Sequence, residues 1–377
     1  MGQVMKMPEL QDILERYGKQ YKEKHDLPIY VKKTLNAIEK CRTAELGAHE
    51  DICDHCGHKK ISYNSCRNRH CPKCQTSAKE KWIYNQKFNV LNVQYFHVVF
   101  TIPDILNKVV YYNQTKMYNI MFKAVSETLQ ELANDKKYLG AEIGFMEVLH
   151  TWGQTIVYHP HIHCIVPAGG MDKIGKWRNS KKKFFIPVKV LSRKFRGKFL
   201  YYLKQEKLEF YGKNKEFENK QNFEELIARL YNKEWIVYCK PPFKDARCVI
   251  RYLGRYTHRV AISNNRIKKE ENGYITFKYR DYKDNKKEKE MTITAEEFIR
   301  RFLLHILPPR FMKIRHYGLL GNKNKKTKLA ICKKLTKTAN LVKPEINTLE
   351  ILKKTLGVDF NLCPLCHKGH LLTPNSG

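Results

Sequence analysis

Hydrophobic positions first recur at helical spacing: Leu10, Ile13, Leu14 and Tyr17, then Val31, Leu35 and Ile38, with Pro28 between the groups. They predict two amphipathic helices within residues 8–40. From Cys41 to about Trp82 the aliphatic pattern gives way to Cys, His, Asn and Arg. A segment that small cannot rest on an apolar core, and metal is the usual substitute. Beyond it the chain turns β-branched and aromatic. VQYFHVVFTIP at 93–103 predicts a strand ending at Pro103. Residues 114–135 return to helical spacing at Met117, Ile120, Met121, Ala124, Leu129 and Leu132. IGFMEVLH at 143–150 and HPHIHCIVPAGG at 159–170 predict two more strands, joined by a turn near Trp152-Gly153. A helix near 222–232, a strand in WIVYCKPP, a helix around 251–259, a strand in YITFKYRDY and a strand entering a helix in MTITAEEFIRRFLLHILP complete the pattern. Strand, helix, strand, strand, with the last two strands antiparallel, gives an α+β fold. The expected divisions are 1–88 (helices and cysteine-rich module), 89–300 (catalytic core, with a basic insertion at about 171–235) and 301–377 (basic C-terminal region).

Charge then narrows the partner. With 71 Lys+Arg against 37 Asp+Glu, the 377-residue chain carries a formal charge of +34. Such an excess repels itself unless a polyanion shares the surface, so nucleic acid is the expected partner, with an anionic membrane as its rival. No run of about 18 apolar residues and no signal-like segment is present, which predicts a cytoplasmic, nucleoid-associated protein with no membrane role. In that compartment the 12 cysteines are expected as metal ligands or buried thiols. Residues 173–204 hold twelve Lys/Arg and no acid, interleaved with Trp177, Phe184, Phe185, Phe195 and Phe199. The stretch reads either as a solvated face or as a track for phosphates and stacked bases.

Three constellations carry chemistry. In a strand, residues i and i+2 share a face, so His161 and His163 set two imidazoles side by side, a grip for one divalent ion. A third ligand is needed: His150, late in the preceding strand and preferred on parity, or Gln154 in the turn. His97, on the earlier strand, is a weaker candidate for that ligand and is rather expected to pack. Next, Tyr252 and Tyr256 lie four apart in RYLGRYTHRVAISNNRI, on one face of the expected helix, with Arg251, Arg255 and Arg259 to meet phosphate. Tyr252 adjoins the apolar Cys248-Val249-Ile250, so Tyr256 is expected to act first. Last, Cys53-x-x-Cys56 and Cys71-x-x-Cys74 have the spacing of a four-thiolate Zn²⁺ site. Cys41, His49, Cys66 and His70 interleave with them and would form a second zinc site in a cross-braced arrangement. Arg67, Arg69 and Lys73 would face phosphate. Cys363-Pro-x-Cys366 is half a site, to be completed from His367 or His370 with Cys332 or His316.

Together these stretches resemble the IS91 family of transposases, within the His-hydrophobic-His (HUH) endonucleases. The resemblance rests on the cysteine-rich region at 41–75, YFHVVFTIP, LHTWGQ, HPHIHCIVPAGG, YLGRYTHRVAISNNRI, FIRRFLLHILP and IRHYGLLGN. It implies an HUH-type antiparallel sheet with flanking helices behind a small zinc-binding domain. It further implies rolling-circle transposition through single-stranded DNA with 5′-phosphotyrosine intermediates. His161 and His163 match the HUH pair and Tyr252 and Tyr256 the two nucleophiles, and the ion at the histidines would be Mg²⁺ or Mn²⁺. Two other functions share these features: a replication initiator or relaxase of the same chemistry, and a zinc-dependent DNA-binding regulator without catalysis. The absence of a G-x-x-x-x-G-K-[ST] motif argues against an integral helicase and leaves a helicase borrowed from the host.

Overall fold

The computed structural model describes residues 7–373 other than 181–185, 244–247, 250, 251, 253, 255 and 256. Two helices come first, α1 (Leu10–Lys24) and α2 (Ile29–Glu39), interrupted around Pro28. Their apolar stripes share one buried cluster with Ile275, Phe277, Phe298 and Phe302 from far along the chain. The cysteine-rich segment forms a hairpin, β1 (Ala48–Cys53) and β2 (Lys59–Tyr63), and then α3 (Pro72–Gln86). Pro72 opens α3 at a position where a missing N–H leaves no helical bond unmade.

The chain then builds its main layer. After β3 (Tyr95–Thr101) come α4 (Asn107–Tyr112) and α5 (Gln114–Asn134), then β4 (Gly144–Trp152) and β5 (Tyr158–Pro167). A small hairpin, β6 (Gly169–Met171) with β7 (Trp177–Asn179), precedes α6 (Val188–Gln205), α7 (Lys220–Asn232) and β8 (Val237–Phe243). A second sheet follows, β9 (Ile267–Glu271), β10 (Tyr274–Asp281) and β11 (Lys287–Thr294), then α8 (Ala295–Leu303), capped by the Thr294 hydroxyl. The remainder is β12 (Ile314–Gly318), α9 (Lys325–Leu335), α10 (Thr348–Leu356) and β13 (Leu371–Leu372). The main sheet runs β12-β4-β5-β3-β8, antiparallel throughout. Its edge strand β12 therefore comes from residues that the sequence pattern assigns to the C-terminal region.

Strand alternation sorts the sheet's two faces. Phe96, Val98 and Phe100 of β3, Phe145 and Leu149 of β4, and Ile162, Cys164 and Val166 of β5 pack beneath α5 and α6. The opposite face carries the histidines. Phe195 and Phe199 do not join the base-stacking track that the interleaving of 173–204 suggests. Phe195 and Phe199 are fully buried against Trp235, because their four-residue spacing makes them the apolar stripe of α6. Lys194 and Lys198 pair with Glu131 of α5. Phe184 and Phe185 lie outside the described residues.

Glu147 stands on the core face of β4, fully buried, and among the described residues neither carboxylate oxygen has a hydrogen-bond partner. Burial pushes its pKa well above the usual 4.5, against a weaker pull from Arg315. The folded state thus binds a proton that the unfolded state releases. That preference stabilises the fold fully below the unfolded-state pKa, and the stability is lost as pH rises through the folded-state pKa. Glu147→Met is expected to raise stability at pH 7 by about 1–3 kcal/mol. The gain should shrink towards pH 4.5, and urea unfolding at the two pH values measures both.

Candidate active site and metal centres

In the β4–β5 pairing His150 stands opposite His161, and Val148 opposite His163. All three imidazoles share the face away from the α5–α6 core, and one nitrogen of each lies within 4.8 Å of the others. Burial lowers the pKa of His161 to about 4 and that of His163 well below the ordinary value. Both are therefore neutral near pH 7, the form whose lone pair ligates a metal. His161 Nδ1 donates to the His159 carbonyl at 2.7 Å, which leaves Nε2 as the ligand nitrogen. Gln154, the other candidate third ligand, is turned elsewhere. Its amide reaches the Tyr282 hydroxyl at 3.5 Å and accepts the Arg280 N–H at 3.4 Å. The turn after β4 points it at the second sheet, so His150 alone of the two joins the pair.

His97 does more than pack. Its Nε2 lies 2.8 Å from His163 Nδ1, and its Nδ1 lies 2.8 Å from the Tyr252 hydroxyl. β3 sets it opposite Ile165, one step diagonally from His163, with the two rings stacked at 5.1 Å. Burial, with the Lys240 ammonium nearby, brings its pKa to about 3. A neutral imidazole has one proton, so between these two neighbours it donates to one and accepts from the other. Tyr252 is half-buried, its ring 4.6 Å from that of Phe243, with Lys240 Nζ 5.5 Å above it. The same segment touches the cysteine-rich module at Gly254, where a Cβ would lie 2.2 Å from Ile83 Cδ1 of α3. Tyr256, Arg251 and Arg255 lie outside the described residues. Arg259 is half-buried near the histidine cluster, and its charge contributes to lowering the pKa values of His161 and His163.

The cysteines group differently from their sequence spacing. Cys71 and Cys74 stand with Cys41 and Cys66, not with Cys53 and Cys56. Cys41 follows α2, Cys66 precedes α3 and Cys71 caps it, whereas the β1–β2 hairpin carries the 53–56 knuckle to a different place. Sulfur separations in the first group are 3.6 Å for Cys41–Cys74 and Cys66–Cys74 and 3.7 Å for Cys41–Cys71. A tetrahedral zinc with Zn–S near 2.3 Å has edges of about 3.8 Å, so this donor set fits the ion. Neither histidine expected in a mixed site takes part. His49 faces Asp51 at 3.6 Å, and His70 Nε2 accepts the Leu307 N–H at 3.4 Å. Cys53 and Cys56 meet Cys363 and Cys366 instead of Cys71 and Cys74. Cys332 is buried with Leu91 and Leu329, and His316 sits in β12, so neither completes the C-terminal pair.

Two expected phosphate contacts are likewise engaged within the fold. Arg69 donates to the carbonyls of Phe311 and Pro308, and Lys73 reaches Gln11 and Glu9. Arg67 remains exposed. Beside the tyrosine segment opens a cleft of about 1280 Å³, with Arg42, Lys79, Arg259 and Arg280 among its cationic lining. Among the described residues no helix is long and apolar enough to cross a membrane.

Two family models match the chain: "Transposase zinc-binding domain" over residues 13–102 and "Putative transposase" over residues 144–328. The first holds the whole Cys41–Cys66–Cys71–Cys74 group, which supports a structural zinc there. The chain is 44% identical to "Putative transposase y4qJ" of Sinorhizobium fredii, across 97% of this chain and 94% of the relative. It is 28% identical to "Transposase for insertion sequence element IS801" of Pseudomonas savastanoi pv. phaseolicola, across 89% of this chain and 81% of the relative. No solved structure matches.

Proposed function

The chain belongs to the IS91 family of transposases, DNA-processing proteins, and on that premise we propose that it nicks and rejoins single-stranded DNA at element ends through 5′-phosphotyrosine intermediates, by rolling-circle transposition. The observation that carries this reading is the run of contacts from the Tyr252 hydroxyl through His97 to His163. It sets a candidate nucleophile one imidazole away from a three-histidine cluster.

A phenol ordinarily ionises near pH 10, so attack needs surroundings that favour its oxyanion. His163 would hold the ion through Nε2, and the proton of that ring would then sit on Nδ1 and be donated to His97 Nε2. His97 then keeps its own proton on Nδ1 and donates it towards the Tyr252 oxygen. The phenol gives its own proton to solvent, and the phenolate is held by that donor and by the Lys240 ammonium. Its oxygen attacks the scissile phosphorus, the P–O3′ bond breaks, and the departing oxygen gains a proton from solvent to become a 3′-hydroxyl. Attack by a 3′-hydroxyl on the phosphotyrosine reverses the step and rejoins the strand without hydrolysis. A divalent ion at His150, His161 and His163 would supply Lewis-acid polarisation of the phosphate.

Two refinements follow. The seat of Tyr252 against His97 favours Tyr252 for the first cut, the reverse of the order expected from its apolar neighbours. Tyr256 then takes the second junction. The donor set, all imidazole, also favours Mn²⁺ over Mg²⁺, which prefers oxygen ligands. At equal millimolar concentration Mn²⁺ should support several-fold faster cleavage, and equal rates would count against ligation by three histidines.

The test of the whole reading is covalent capture. Labelled single-stranded DNA spanning the element ends is incubated with the protein and Mn²⁺, then run on a denaturing gel. A metal-dependent, protease-sensitive adduct that vanishes in Tyr252→Phe/Tyr256→Phe supports it. Binding without an adduct at any Mn²⁺ concentration overturns it.

A further inference from the structure

Cys363 and Cys366 have no part in this reading, and they lie outside both matched segments. In the fold they meet a knuckle far back in the sequence. Cys56 Sγ is 3.7 Å from that of Cys363, and Cys53 Sγ is 3.8 Å from that of Cys366. These are again the edges of a zinc tetrahedron, about 3.8 Å, and far too long for disulfides. All four cysteines are free. Backbone N–H groups of His55 and Gly369 are aimed at the Cys53 and Cys366 sulfurs at 3.4 Å, donors that favour thiolate over thiol.

The backbones are built around this meeting. A Cβ on Gly369 would stand 2.6 Å from Cys53 Sγ and 2.5 Å from Asp54 Oδ1, so the second knuckle approaches the first at a distance that only glycine allows. β13 extends the β1–β2 hairpin, with Leu371 opposite Cys53. Asp54 Oδ1 accepts the His370 N–H at 2.7 Å, and the Thr373 hydroxyl donates to Asp51 at 2.6 Å. We propose that Cys53, Cys56, Cys363 and Cys366 bind a second structural zinc ion, which clasps the segment after α10 to the N-terminal hairpin.

The clasp has a consequence for the cleft. α10 packs on α3, and Leu349, Leu352, Leu356 and Phe360 line the cleft whose cationic lining includes Arg42, Lys79 and Arg259. Residues 338–347, which lead into α10, form no helix or strand. The zinc ion is thus the firm anchor of an apolar wall in a cationic cleft, a pairing that suits stacked bases and phosphates of single-stranded DNA. This consequence rests on the DNA-cleaving reading, whereas the zinc site does not.

The experiment measures metal in the purified full-length chain. Two zinc ions per chain are expected, and one in Cys363→Ser/Cys366→Ser. In the Co²⁺-substituted protein, the thiolate-to-metal absorption should fall by about half in that variant. Trypsin should cut more readily after Lys337, ahead of α10, once the clasp is open. Gly369→Val, which keeps every cysteine, should also lose the second ion. A wild-type chain holding one zinc, or a double-serine variant still holding two, overturns the proposal, and the wild-type count decides it even if the variants fold poorly. Loss of the second zinc with unchanged affinity for single-stranded DNA supports the clasp and removes the wall's role in binding.

Discussion

Tyr252→Phe is expected to remove the first strand cut, lowering adduct formation by on the order of 10³-fold or more, the usual scale for deleting a nucleophile. Phenylalanine keeps the ring among Phe243 and Val249 and removes only the oxygen that meets His97. Binding of single-stranded DNA should therefore stay near wild type, because the cationic cleft is untouched. Tyr256→Phe should still give the first adduct and should fail at the second junction. A substrate with one element end separates the two, since it requires only the first cut. If Tyr252→Phe formed the adduct at the wild-type rate and Tyr256→Phe did not, the order would return to the one expected from sequence. The contact between Tyr252 and His97 would then carry no part of the chemistry.

Legibility from sequence followed the range of the interaction concerned. Alternation along β5 is local, and it put His161 and His163 on one face and Ile162 in the core, as they are found. His150 followed from the same parity once β4 and β5 were read as an antiparallel pair. His97, which obeys the same rule, was read only as a weaker ligand candidate expected to pack, and its link to Tyr252 was not foreseen. Its parity puts it on the histidine face, but its partner was set by the β3–β5 register, which brings it diagonally against His163. Composition gives no hint of that register. The zinc ligands show the limit most plainly. A Cys-x-x-Cys knuckle announces half a site, and the partner half depends on which backbone returns to it. For Cys53 and Cys56 that partner lies 313 and 307 residues away. Within 173–204, Phe195 and Phe199 repeat at the spacing of a buried helical stripe, a periodicity that outweighs their basic neighbours and that neither expected reading used.

His163→Ala should be more damaging than His161→Ala, although each removes one imidazole from the same cluster. In His161→Ala the two remaining rings keep a weakened grip on the ion, and the line from His163 to Tyr252 is intact. Raising Mn²⁺ should therefore recover part of the cleavage. In His163→Ala the loss is double. The ligand goes, and so does the ring that fixes which nitrogen of His97 bears the proton, so added metal cannot restore the donor at Tyr252. At saturating Mn²⁺ the variant should remain on the order of 10²–10⁴-fold below wild type, the range for losing a positioned proton-handling group. His97→Ala should show a loss of similar kind with metal affinity kept. Adding it to His163→Ala should cost little more, because residues that act as a unit are not additive. Single-turnover adduct formation across a Mn²⁺ titration gives all four rates. Equal losses in His161→Ala and His163→Ala, recovered alike by metal, would mean that the histidine cluster serves only to hold the ion. The nucleophile would then have to be activated from elsewhere.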